Sequence, residues 1–156
     1  MVSRKAISYI LPEQVIRSGK MDSSGTRLDC GIDVVSISRI RGLLKKYPEK
    51  FRGFAFTQKE QQYCEGNPYP AQHYAGYWTI KESYIKAVGD TSANTNLTSI
   101  EITRGPPPEV SLSGESLNIL RHKLPESISR EEVSISISLA HEQKADLAIG
   151  IVIISF

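Results

Sequence analysis

The chain has 156 residues, 19 Lys and Arg against 17 Asp and Glu, a formal net charge of +2, and 40% hydrophobic and 23% charged residues. That size and composition suit a single domain that buries a core without disulfides or a structural metal, and they exclude a disordered chain. The weak positive balance gives no reason to expect a nucleic acid or a membrane surface as partner.

No apolar run reaches the roughly 18 residues that span a bilayer, and the stretch before Pro12 and Glu13 is too short and mixed for a signal peptide. Cys30 and Cys64 fit neither a metal-ligand spacing nor a secreted disulfide framework, so a cytoplasmic setting is expected.

Residues 1–27 close with the turn-rich run Ser18 to Gly25 and are expected to form an extension, with the domain proper over 28–156. From Leu28 to Ile37 a β-branched run reads as a strand with Asp33 in its middle. Ile37, Ile40, Leu43, Leu44 and Tyr47 then recur at helical spacing until Pro48, with Arg39 and Arg41 near the start and Lys45 and Lys46 near the end. Phe51, Phe54 and Phe56 lead into Thr57-Gln58-Lys59-Glu60, a capping-box pattern that opens a short helix through Cys64.

Ala71 to Val88, stopped by Gly89, reads as the central helix, on which Glu82 and Lys86 lie one turn apart. Strands are expected at Ser99 to Thr103 and Glu109 to Leu112, on either side of the proline run 106–108, followed by a helix from Glu115 to Leu124. Alternation of Val133, Ile135, Ile137 and Leu139 with serines marks a half-buried strand with His141 just past its end. The nearly all-apolar run Asp146 to Ser155 reads as a strand covered on both faces, paired with its predecessor in a hairpin. The expected class is α+β, with helices packed on a mainly antiparallel sheet.

An acid in an apolar strand and another on a largely apolar helix are costly to bury as bare charges, so Asp33 and Glu82 should be paired or bound to a cation. Two carboxylates suit Mg²⁺, which takes one or two of them and leaves its other positions to water and substrate phosphates. Lys86 could then hold phosphate oxygens. The same spacing also describes an ordinary Glu82–Lys86 surface pair and an Asp33 matched to an arginine, and spacing alone leaves these open.

Five ordered blocks carry a resemblance that covers roughly Leu28 to the end. They are G-I-D-V-V-S-I-S-R-I from Gly31, F-T-Q-K-E-Q-Q-Y-C from Phe56, W-T-I-K-E-S-Y-I-K-A-V-G from Trp78, P-E-V-S-L-S-G-E from Pro108 and V-S-I-S-I-S-L-A-H-E-Q-K-A-D-L-A from Val133. Together they resemble the holo-acyl-carrier-protein synthase family of 4'-phosphopantetheinyl transferases. The resemblance implies that family's fold and transfer of 4'-phosphopantetheine from coenzyme A to a serine of an apo acyl carrier protein, with 3',5'-ADP released. It further implies that Asp33 and Glu82 ligate Mg²⁺ and, with Lys86, form the catalytic group. Lys81, Lys86 and His141 would lie near the coenzyme, Arg39 would meet the acidic carrier protein, and the chain would assemble as a homotrimer with the coenzyme in clefts between subunits.

Two departures fall on the coenzyme side. Tyr77 stands where the family usually has an arginine that helps bind the nucleotide's phosphate, and a phenol replaces neither its charge nor its forked donors. After Gly89 the chain continues Asp90-Thr91-Ser92-Ala93 in place of a glycine-rich turn. These departures leave an alternative open: a non-catalytic or donor-altered member of the same fold that binds coenzyme A or a carrier protein.

Overall fold

The computed structural model describes residues 25–90, 95–103, 105 and 107–156. All but the last three residues of the expected extension lie outside them, as do Thr91 to Ala93 and Pro106. Strand β1 (Leu28–Ser36) leads directly into helix α1 (Ile37–Lys46), then α2 (Pro48–Ala55), α3 (Gln58–Glu65) and the 19-residue α4 (Pro70–Val88). A 3₁₀ turn (Leu97–Ser99) precedes β2 (Ile100–Thr103). Strand β3 (Glu109–Leu112), helix α5 (Gly114–Lys123) and strands β4 (Ser134–Glu142) and β5 (Leu147–Ser155) complete the chain.

Two antiparallel sheets form, β1-β5-β4 and β2-β3. The expected β4–β5 hairpin is present, and β1 pairs along the other edge of β5 over its full length. Main-chain bonds from Arg27 N to Phe156 O and back, at 2.7 and 3.0 Å, continue that pairing one residue before β1.

Local chemistry explains most element ends. Thr57 and Glu60 form the expected capping box of α3. Gly89 closes α4 in the left-handed conformation at φ 69°, and the Asp90 N–H reaches back to Ile85 O in a Schellman arrangement. Pro48 does more than end α1. It occupies the first turn of α2, where a missing N–H costs nothing, and this gives the segment through Phe51 and Phe54 a helix of its own that periodicity did not suggest. Pro70 starts α4 in the same way, one residue before the expected Ala71.

The central helix crosses the three-stranded sheet at unusually close range. A methyl group added at Gly150 of β5 would stand 2.7 Å from Thr79 Oγ1, and one at Gly31 of β1 would stand 1.9 Å from Ser83 O and 2.7 Å from Ala87 N. One at Gly76 of α4 would meet Leu139 of β4 at 3.2 Å. The helix therefore starts over β4, passes β5 at Thr79 and ends over β1 at Ser83 and Ala87. The Ser83 hydroxyl donates to Gly150 O at 2.9 Å within that contact.

The core lies between this sheet and the helices. It includes Ile37, Ile40, Tyr74, Ile80, Tyr84, Val152 and Ile154, with an aromatic group in which Phe56 meets Tyr74 edge-on at 4.7 Å. The expectation that β5 is covered on both faces does not hold. Ala148, Gly150, Val152 and Ile154 face α4, whereas Leu147, Ile149 and Ile153 are exposed on the other side. They adjoin the exposed Ile32 and Val34 of β1, opposite Ile151 and Ile149 respectively. A helix layer covers only one side of the sheet, so the outward apolar side chains stay bare in the single chain.

Candidate active site

Close packing of Gly31 on α4 brings Asp33, two residues further along the same face of β1, beside the C-terminal half of the helix. There the Lys86 ammonium donates to Asp33 Oδ1 at 2.7 Å and to Ile32 O at 3.0 Å. Lys86 thus reaches across to the strand rather than forming the ion pair with Glu82 that helical spacing permits, and Asp33 is matched to a lysine rather than an arginine.

Glu82 is half-buried, and among the described residues nothing hydrogen-bonds it. Its carboxyl is pushed above the usual carboxylate range by burial and then by the charge of Asp33, with Lys86 and Arg39 pulling the other way. Two carboxylates close enough to repel, one of them half-buried and without a hydrogen bond, form a donor set short of positive charge. That deficit fits a hard divalent cation held by oxygen ligands. Among the described residues no group of three or more His, Cys, Asp or Glu could hold a metal, so the site offers two protein carboxylates at most and leaves the other positions to water or substrate.

Arg39 is exposed on the first turn of α1, near enough to lower the Glu82 pKa. That turn is pinned twice. Ser36 Oγ accepts from Arg39 N at 3.2 Å. Asp146, at φ 54° in the β4–β5 turn, accepts from Ser38 N at 2.8 Å and from Ile37 N through its main-chain oxygen at 3.0 Å. Sequence reasoning missed Asp146, although an acid in a short polar link between two strands is a signal for such a turn.

Lys81, one residue before Glu82, has a fully buried side chain, donating to Glu60 Oε2 at 2.7 Å and to Leu97 O at 2.9 Å. Glu60, the capping-box acid, also accepts from Ile102 N at 2.8 Å. One residue along α4 is a rotation of about 100°, so neighbours such as Lys81 and Glu82 point to different environments.

His141 corrects one expectation. It lies inside β4, not beyond it, and it is opposite Ala148 in the register that also places Val35 opposite Ala148. Two strand spacings, about 10 Å, therefore separate its strand from that of Asp33. His141 instead borders a cavity of about 480 Å³ at the N-terminal half of α4, together with Tyr63, His73, Tyr77, Pro107 and Pro108. The structure brings Asp33, Glu82, Lys86 and Arg39 together and leaves Tyr77 and His141 in a second cluster, Tyr77 preceding Glu82 on α4 by five residues, about 7.5 Å along the axis. Tyr63 and His73 escaped the sequence reading because α3 and α4 approach only in the fold.

Known proteins resemble this chain in sequence and fold. Holo-[acyl-carrier-protein] synthase of Syntrophus aciditrophicus is 32% identical over 116 residues, covering 72% of this chain and 85% of the relative. The solved holo-[acyl-carrier-protein] synthase of Helicobacter pylori in complex with coenzyme A superposes with a TM-score of 0.63 at 26% identity, covering 80% of this chain and 98% of that one. The Chronobacterium ammoniagenes ACPS-CoA complex has the same fold, with a TM-score of 0.66 at 23% identity over 83% of this chain and 97% of that one. Residues 29–152 match the family described as the 4'-phosphopantetheinyl transferase superfamily, and the chain belongs to it.

Proposed function

We propose that this chain is a holo-[acyl-carrier-protein] synthase, moving 4'-phosphopantetheine from coenzyme A to a serine of an apo acyl carrier protein in a Mg²⁺-dependent reaction. The observation that carries this reading is the Asp33–Glu82–Lys86 group, with Glu82 raised by burial and then by the neighbouring Asp33 charge, and Lys86 2.7 Å from Asp33.

Asp33 and Glu82 would hold the cation, and Lys86, half exposed and tethered by Ile32 O, would turn its ammonium toward the coenzyme's diphosphate. When bound, Mg²⁺ supplies charge neutralisation and orientation of the diphosphate oxygens. The serine hydroxyl oxygen forms a bond to the β-phosphorus and the bond to the α-phosphate oxygen breaks. The serine proton passes to solvent and 3',5'-ADP leaves. Positioning and charge supply most of the acceleration in such a reaction.

Arg39 is the proposed contact for an acidic carrier protein, on a helix that also carries Arg41, Lys45 and Lys46. The bare outward face of β1 and β5, with Ile32 58% and Val34 57% exposed, supports a homotrimer. No described helix is long and apolar enough to cross a membrane, and action in the cytoplasm on a soluble carrier is the proposed setting.

Incubation with coenzyme A, Mg²⁺ and a broad set of apo carrier proteins tests the reading by intact mass. A gain of one phosphopantetheine on at least one carrier is expected. No gain on any carrier from folded protein overturns it in favour of a binding protein.

A further inference from the structure

Asp29, Gly31 and Asp33 alternate along β1 on the face turned to α4. Gly31 makes the close contact with Ser83 and Ala87, and Asp33 meets Lys86 at one end of the row. At the other end, about 13 Å along the strand from Asp33, Asp29 is 4% exposed and pairs through Oδ2 with Lys123, the last residue of α5, at 3.2 Å. Asp29 Oδ2 accepts no hydrogen bond among the described residues, so the charges of Lys123 and of Arg27, 3.5 Å from Oδ1, are what offset its burial.

The same Lys123 ammonium donates to Ala87 O at 2.6 Å. That carbonyl belongs to the last turn of α4, where carbonyls lack partners within the helix and a cation is favoured. One side chain therefore ties the strand that carries Asp33 to the helix that carries Glu82 and Lys86. Helix α5 is docked independently of Lys123, since Tyr84 Oη donates to Ser116 O at 2.8 Å and Leu120 is buried in the core. Strand β1 lies at the edge of its sheet, so its main-chain pairing with β5 holds it from one side. Gly31 permits a close approach to α4 but has no side chain with which to interlock. The Lys86–Asp33 bond ties the two elements as well, yet Lys86 must release Asp33 to reach a diphosphate. A tie outside the site persists when that bond opens.

We propose that Asp29 and Lys123 are positioning residues for the transfer: their pair, anchored on Ala87 O, keeps β1 against the end of α4 so that Asp33 and Glu82 can share one divalent cation. This rests on the transferase reading. Charge and position predict opposite signs for one substitution. Lys123→Met removes a cation, which by charge alone strengthens Mg²⁺ binding, whereas loss of position weakens it. Combining Lys123→Met with Asp29→Asn leaves the net charge as it was and isolates position.

The experiment titrates Mg²⁺ alone into the native chain, Lys123→Met and the double variant by calorimetry, with folding checked by melting curves, and measures transfer from coenzyme A to an apo carrier. Both variants should bind Mg²⁺ about tenfold more weakly or worse, as loss of a group that orients metal ligands does. The KM for the carrier should stay unchanged, because Arg39 is held from the side of Ser36 and Asp146. Unchanged or tighter Mg²⁺ binding in the folded double variant, with native transfer intact, overturns the positioning role and leaves the pair a stabilising contact. A native chain that neither binds Mg²⁺ nor transfers overturns the transferase reading and the inference with it. The double variant leaves neither Asp29 nor Lys123 as an unmatched charge and decides the matter where Lys123→Met does not fold.

Discussion

The Lys86 ammonium lies 2.7 Å from Asp33 Oδ1, closer to the acid on the neighbouring strand than to the one a turn away on its own helix. Lys86 therefore competes with a divalent cation for Asp33 while also standing ready for the substrate's phosphates. Removing it should have opposite effects on the two. Lys86→Ala should bind Mg²⁺ more tightly in calorimetry, because Asp33 loses the ammonium that competes with the metal, yet transfer should slow by about 10²-fold or more. Weaker Mg²⁺ binding in the variant would contradict the placement of the metal between Asp33 and Glu82.

Gly31 lets β1 touch α4, and an added methyl would stand 1.9 Å from Ser83 O. The clash is with backbone on both sides and no side chain can yield. Gly31→Ala should cost about 1–3 kcal/mol or more of stability by denaturant unfolding and should also displace Asp33 from Glu82, lowering activity in protein that still folds. Native-like stability together with native activity would contradict the role of the contact.

The buried Glu60–Lys81 pair gives a pH test that does not involve the metal. Burial pushes Glu60 up, opposed chiefly by the Lys81 charge, and burial pushes Lys81 down. Lys81→Met should cost about 3–5 kcal/mol at neutral pH by leaving a buried carboxylate unmatched. In that variant the folded Glu60 pKa rises further above its unfolded value of 4.5. An acid raised in the folded state favours the fold below its unfolded pKa, and that advantage is lost as pH rises through the folded pKa. Lys81→Met should therefore melt at a higher temperature at pH 5 than at pH 8, and adding Glu60→Gln should flatten this dependence.

Asp146 fixes the start of α1 from the β4–β5 turn, with hydrogen bonds to Ser38 and Ile37. Asp146→Ala should cost about 1 kcal/mol, as loss of a helix cap does. Because that turn holds Arg39, the KM for the carrier protein should rise severalfold while the KM for coenzyme A stays put. Equal change in both constants would show that the cap acts only through overall stability.

Much of the fold was legible because each element is announced by local chemistry: the Thr57–Glu60 box, the Gly89 stop and the serine alternation of β4. Helix α2 was not, since its eight residues are too few to show a period and Pro48 reads equally as an end or a beginning. The exposure of Ile149 and Ile153 was not, because an all-apolar strand looks alike whether a second layer of the same chain or another copy covers it. At the site, Asp33 and Glu82 stood out as acids in apolar surroundings, and Lys86 joined them through its place one turn from Glu82 and the family resemblance. The burial of Lys81 was not legible, because its partner Glu60 lies 21 residues back on another helix, a pairing that no pattern within α4 reveals. Gly150 carried an unused signal, since a lone glycine in a strand marks a close backbone approach.

The most direct test is the rate of phosphopantetheine transfer by the native chain and by Glu82→Gln over a range of Mg²⁺ concentrations, with both proteins shown to be folded by their melting curves. The two-carboxylate site requires the native rate to rise with Mg²⁺ and vanish with chelator, and the variant to be slower by at least about 10²-fold. The variant should also melt no lower than the native chain without metal, since it loses a carboxylate that burial and Asp33 disfavour. Equal rates in the two proteins, or a native rate indifferent to Mg²⁺, would contradict the account.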